Sequence, residues 1–89
     1  MENDILKERI DTGYTDSEGN SIFIGSSLSD SLFEKAFDCY PGIVKVDEDG
    51  KLFVSYKSTK NKNGGGCRYL TNSVAKKSIV IESKVLEND

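Results

Sequence analysis

A chain of 89 residues, 36% hydrophobic and 30% charged, has the composition of one globular domain over residues 1–89 and no room for a second core. A domain this short buries only about 60–65% of its unfolded surface, which favours a flat or convex binding face over a deep catalytic cleft. With a formal charge of −3, two cysteines and no histidine, it lacks the usual neutral-pH general base, every Ser-His or Cys-His nucleophile pair and the commonest zinc ligand.

No apolar run approaches the ~18 residues of a membrane span. Residues 1–7 are acidic and lack the basic start and apolar centre of a signal peptide. The expectation is a cytoplasmic protein with free thiols at Cys39 and Cys67.

In chain order, Ile5, Leu6 and Ile10 share a face at helical spacing, which predicts a short N-terminal helix over residues 3–10 that Gly13 ends. Tyr14, Thr15 and Asp16, then Ser21, Ile22, Phe23 and Ile24, flank Ser17, Glu18, Gly19 and Asn20, the composition of a hairpin turn. The principal helix is expected over about 30–40. Ser31 with Glu34 has capping-box spacing, and Ser29 competes with it two residues earlier. Leu28, Leu32, Phe33, Ala36, Phe37 and Tyr40 fall on one stripe for burial, while Asp30, Glu34, Lys35 and Asp38 face away. Pro41 stops the helix, because proline disfavours helical backbone at the residue before it.

A second hairpin joins Ile43, Val44, Lys45 and Val46 to the run from Lys51 to Tyr56 across Asp47, Glu48, Asp49 and Gly50, whose Asp-Gly pair is a strong turn signal. Residues 57–66 are polar and glycine-rich, and a flexible loop is expected there. A short strand follows at Cys67, Arg68, Tyr69 and Leu70. Residues 71–77 fit a turn or a short helix, and residues 78–82 a strand extending toward Leu86. The fold class is α+β: a mainly antiparallel sheet of four or five strands with one principal helix packed on it.

Familiar chemistry is set aside residue by residue. The run from Asn63 to Arg68 lacks the glycine-lysine-serine/threonine ending of a phosphate loop. Placing Gly50 at the invariant glycine of a calcium loop puts Lys45 at its first ligand and Tyr56 where a bidentate glutamate belongs. Two thiols alone do not close a zinc site. No catalytic, cofactor or metal residues are assigned, and a non-enzymatic protein is expected.

Charge placement carries the functional signal. Residues 1–50 hold twelve carboxylates and four bases, a balance of −8, whereas residues 51–89 hold eight bases and three carboxylates, a balance of +5. One reading takes Asp16, Glu18, Asp30, Glu34, Asp38, Asp47, Glu48 and Asp49 as a single negative face for a basic partner. Helix carboxylates at i, i+4 and i+8 rise about 6 Å per step, comparable to phosphate spacing along a strand. The alternative is a nucleic-acid-binding module using Lys57, Lys60, Lys62 and Arg68, with Tyr56 and Tyr69 as stacking surfaces. A sequence pI near 4.9 is far from the basic footprint such modules usually have, so direct nucleic-acid binding is the lesser expectation.

In its acidic set Asp30, Glu34, Asp38, Asp47, Glu48 and Asp49, its size and its lack of histidine, the chain resembles small phage-encoded proteins that bind and disable host factors, some of them nucleic-acid mimics. The resemblance implies an inhibitor or regulator that occupies the basic surface of a host nucleic-acid-binding protein, such as a nucleoid-associated protein, a polymerase subunit or a nuclease.

Overall fold

The computed structural model describes residues 10–81. The expected N-terminal helix, save for Ile10, and any extension of the last strand past residue 81 lie outside the described residues. Within them the strands are β1 (Asp11–Thr15), β2 (Ser21–Phe23), β3 (Ser27–Ser29), β4 (Gly42–Val46), β5 (Leu52–Lys57), β6 (Gly65–Tyr69) and β7 (Ile79–Val80). The helices are α1 (Ser31–Phe37) and α2 (Asn72–Lys76). β1 and β2 form a separate hairpin, and the other five strands form an antiparallel sheet ordered β6-β5-β4-β3-β7. The architecture is α+β. No helix among the described residues is long and apolar enough to cross a membrane.

Period-2 alternation sorts the sheet into two faces. Val44 pairs with Val54 and Val54 with Arg68, so these three share a face. On it Leu28, Val44, Val54 and Tyr56 are buried, and Ile22 of β2, Leu70 and Ala75 of α2 complete the same core. Fully burying an aliphatic side chain such as Val44 or Val54 contributes about 1.5–3 kcal/mol. The opposite face carries Ile43, Lys45, Cys67 and Tyr69, all exposed.

The Asp-Gly hairpin forms where its composition placed it. The Asp47 amide donates to the Lys51 carbonyl at 2.9 Å, and Asp47 Oδ1 accepts from the Asp49 and Lys51 amides at 2.9 and 2.8 Å. The ambiguous segment after β6 folds as α2, capped by Thr71, whose hydroxyl accepts from the Val74 amide. The 57–66 connection is shorter than its composition suggested, since Lys57 closes β5 and Gly65 opens β6. The Ser58 hydroxyl accepts from the amides of Lys60 and Asn61 at 3.1 and 3.0 Å. Thr59 donates through both amide and hydroxyl to the Asp38 carbonyl at the end of α1.

α1 differs from its sequence reading in its span, its cap and its burial: it ends at Phe37 and not near Tyr40, because Asp38 takes left-handed backbone. Its N-cap is Asp30, not Ser31 or Ser29, because Asp30 is the last residue with extended backbone. Asp30 Oδ1 accepts from the Phe33 amide at 3.2 Å, and Glu34 Oε2 reaches back to the Asp30 amide and the Ser29 hydroxyl at 3.0 Å each. The expected buried stripe is also largely in solvent: Leu32 is 78% exposed, Phe37 65% and Tyr40 56%. Leu28 is indeed core but belongs to β3, and of the helix residues only Phe33 packs against the core. Asp30, expected to face away, is buried instead. Helical spacing states which residues share a face, not whether another element covers it.

Gly42 opens β4 where two core side chains converge. A Cβ there would press on Val54 Cγ1 and come within 2.7 Å of Tyr56 Cε1. A Cβ at Gly66 meets nothing within 4 Å. Gly42→Ala is therefore expected to lower unfolding free energy by about 2 kcal/mol through overpacking, and Gly66→Ala by less than about 0.5 kcal/mol. Urea denaturation of the two variants checks this; equal losses would contradict it.

Candidate functional site

Arg68 sits on the core face of β6, directly across from Val54. From there its guanidinium lies 3.8 Å from the centroid of the Phe33 ring and 5.4 Å from that of Tyr56. Nη2 donates to Tyr56 Oη at 2.7 Å and to Asp30 Oδ2 at 3.2 Å, while Nε donates to Tyr56 Oη at 3.2 Å. Asp30 thus spends one oxygen on the start of α1 and the other on β6, tying the helix to the sheet. The Arg68 side chain is 25% exposed and that of Asp30 7%, so water screens this pair far less than a surface ion pair. Burial raises the Tyr56 phenol pKa against the opposing pull of Arg68. The phenol therefore stays protonated.

This cluster forms the floor of a groove. Phe33 and Phe37 of α1, Cys39 and Tyr56 face the 58–64 connection and the main chain from Gly64 to Arg68 across a cavity of about 680 Å³. That is the size of an ordinary ligand or peptide cleft. The Phe33 ring stacks on both Phe37 and Tyr56 at centroid distances of 4.6 Å, so the aromatic wall is braced from both sides. Burial first, then the Glu34 carboxylate, raises the Cys39 thiol pKa, which keeps it a neutral apolar lining group. Cys67 borders the groove on β6, but by strand alternation its side chain projects from the opposite face of the sheet, where it is exposed.

The eight carboxylates proposed from sequence occupy three separate places. Asp16 is buried beside β7. Its Oδ1 accepts from the Glu18 and Asn20 amides, and its Oδ2 from the Val80 amide and the Asn20 side chain. Asp30, Glu34 and Asp38 belong to α1, where the first two are committed to the cap and to Arg68. Asp38 has left-handed backbone and pairs with Lys60 at 3.4 Å. Asp47, Glu48 and Asp49 stand at the β4–β5 turn, five residues along β4 from Gly42, or about 17 Å. Gly42 pairs with Leu28 near the start of α1. β7, beside Asp16, lies four strand spacings, about 19 Å, from β6. Glu18, Asp38, Glu48 and Asp49 are exposed.

The basic set divides as well. Lys57, Lys60 and Lys62 are exposed around the end of β5 and the connection that lines the groove, whereas Arg68 turns inward to Asp30. Tyr56 is buried and Tyr69 is 61% exposed. Sequence reasoning missed the groove because it assigned Phe37 to the core. Helical spacing alone carried no signal that Phe37 would stay exposed. No protein-family model, curated protein or solved structure matches the chain.

Two predictions follow from these bonds. Arg68→Ala leaves the Asp30 carboxylate buried without its cation and should cost about 2–3 kcal/mol in chemical denaturation. Lys62→Ala should stay within about 0.5 kcal/mol, and a harmless Arg68→Ala would refute the tie. For Asp16, burial pushes the carboxyl pKa up, but the Val80, Asn20 and Glu18 amides and the Asn20 side chain outweigh it and hold the pKa below its ordinary value. A depressed folded pKa gives stability that is present above about pH 4 and lost as pH falls through the folded value. Asp16→Asn should lose about 2 kcal/mol at pH 7 and show a smaller loss from pH 7 to pH 3 than the native chain. Parallel pH profiles would contradict the assignment.

Proposed function

We propose that this chain is a protein-binding regulator that holds its partner in the groove between α1 and β6 and catalyses no reaction. The observation that carries this reading is the 65% exposure of Phe37 at the mouth of that groove. Leu32 and Tyr40 are exposed on and just after the same helix. Exposed aromatic and aliphatic groups around a cleft mark interaction sites on small domains, and buried aromatic anchors dominate binding energies once a partner seats on them. The Arg68 cluster holds the groove floor in place before any partner arrives, which lowers the ordering cost of binding.

Two features count against a continuous nucleic-acid-mimic face. The carboxylates lie in three groups, and Asp16, Asp30 and Glu34 are already used by the fold. The exposed tip residues Glu48 and Asp49 fit a rim role, raising the association rate toward a basic partner more than its affinity. A nucleic-acid module at residues 57–68 loses Arg68 to Asp30 and keeps only lysine contacts to phosphate.

The test is affinity capture from lysate after nuclease treatment, comparing the native chain with Phe37→Ser and with a Glu48→Lys, Asp49→Lys double variant. The groove reading predicts that Phe37→Ser loses the captured proteins and the double variant keeps them. The reverse pattern would assign binding to the acidic tip, and partners lost on nuclease treatment alone would assign it to nucleic acid.

A further inference from the structure

We infer that the partner of this groove is an extended, acidic peptide segment that joins the sheet as a sixth strand beside β6; the inference rests on the groove reading above. An open sheet has two edges with unpaired main-chain donors and acceptors, and proteins normally blunt both. Here they are treated differently. At β7, the Ile81 amide donates inward to the Ser27 carbonyl, so by alternation residues 78 and 80 direct their main-chain groups outward. Both are met: Val80 N–H donates to Asp16 Oδ2 at 2.9 Å, and the Ser78 carbonyl accepts from Ser17 N–H at 2.9 Å. The β1–β2 turn closes that edge.

At β6 nothing comparable occurs among the described residues. Ser58 N–H donates to the Gly64 carbonyl and Leu70 N–H to the Leu52 carbonyl. These bonds set the phase of the ladder: residues 64, 66, 68 and 70 bond toward β5. Gly65, Cys67 and Tyr69 therefore direct their N–H and C=O groups away from the sheet. The usual edge guards are missing too, since β6 (sequence GGCRY) has no lysine or proline and its arginine is turned into the core. Gly65 also admits close approach. Its φ is 152° and a Cβ there would press on the Tyr56 carbonyl, so glycine is required and no side chain stands over the strand.

A strand laid along β6 would send alternate side chains toward the core face, where the groove offers Phe33, Phe37 and Tyr56 to an apolar group. Charge selects the rest of the sequence. Arg68 and Lys60 are paired with Asp30 and Asp38; Lys57, on the opposite face of the sheet beside Gly65, and Lys62, in the connection before β6, have no acidic partner among the described residues. Both are exposed. The fitting segment alternates apolar residues with aspartate or glutamate.

The experiment is selection of random short peptides on the full chain, followed by NMR titration of labelled chain with the enriched peptide. The expected consensus alternates apolar and acidic residues without proline, and the Gly65, Cys67 and Tyr69 amides shift. N-methylation of alternate peptide amides should weaken binding at least about tenfold, since it removes the ladder donors. A Lys57→Glu, Lys62→Glu double variant should weaken it about five- to tenfold. Peptides that shift Phe37 but are basic, proline-rich or indifferent to N-methylation would overturn strand addition while leaving the groove as the binding site. Absence of enrichment would remove the groove reading as well. Concentration-dependent shifts at Gly65, Cys67 and Tyr69 without peptide would assign the edge to a second copy of the chain and overturn the acidic peptide.

Discussion

A sheet that does not close on itself leaves a row of main-chain donors and acceptors along each outer strand, and buried groups of this kind must find partners. In this chain the requirement is met at one edge by the β1–β2 turn, through the Asp16 carboxylate and the Ser17 amide. Asp16 reaches from the β1–β2 turn to the Val80 amide while satisfying its own turn through Glu18 and Asn20. That contact seats the hairpin against β7, which brings Ile22 into the core with Val44, Val54 and Ala75. The other edge, β6, has no such cover among the described residues. Among the described residues the sheet thus has one closed edge and one open edge.

The side that carries the open edge is held by Arg68. Its contacts to Asp30, Tyr56 and Phe33 link residues far apart in sequence and position α1 over the start of the groove. The charge segregation takes on a different meaning here. Asp30 and Asp38 come from the acidic half, and Arg68 and Lys60 from the basic half. Part of the −8 and +5 imbalance is therefore spent inside the molecule, joining its two halves. Among the described residues what reaches solvent is a mixed pattern, with Glu18, Glu48 and Asp49 at two turns, Lys57, Lys60 and Lys62 near the connection before β6, and Lys35, Lys45, Lys51, Lys76 and Lys77 elsewhere.

Much of the secondary structure was legible from local chemistry. Asp49-Gly50 marked its turn, and the β-rich runs around residues 43–46 and 52–56 became the central hairpin, whereas α1 ends at Phe37, before the stop expected at Pro41, because Asp38 takes left-handed backbone. Solvent exposure was not legible. Leu32, Phe37 and Tyr40 have helical spacing whether or not an element lies over them. The roles of Asp16 and Asp30 were hidden for a related reason. A carboxylate in a Ser-Glu-Gly turn, or before a helix, has the composition of a surface residue, and its partners Val80 and Arg68 lie 64 and 38 residues away. Pairings at that range depend on sheet order, which local propensity does not encode.

The claim on which this account depends is that β6 presents free main-chain groups while β7 does not. Native-state amide hydrogen exchange of the unliganded chain measures this residue by residue. The account predicts that Gly65, Cys67 and Tyr69 exchange far faster than Gly66 and Arg68 on the same strand, and that Val80 is protected by Asp16. Protection of Cys67 equal to that of Arg68, or rapid exchange at Val80, would contradict it.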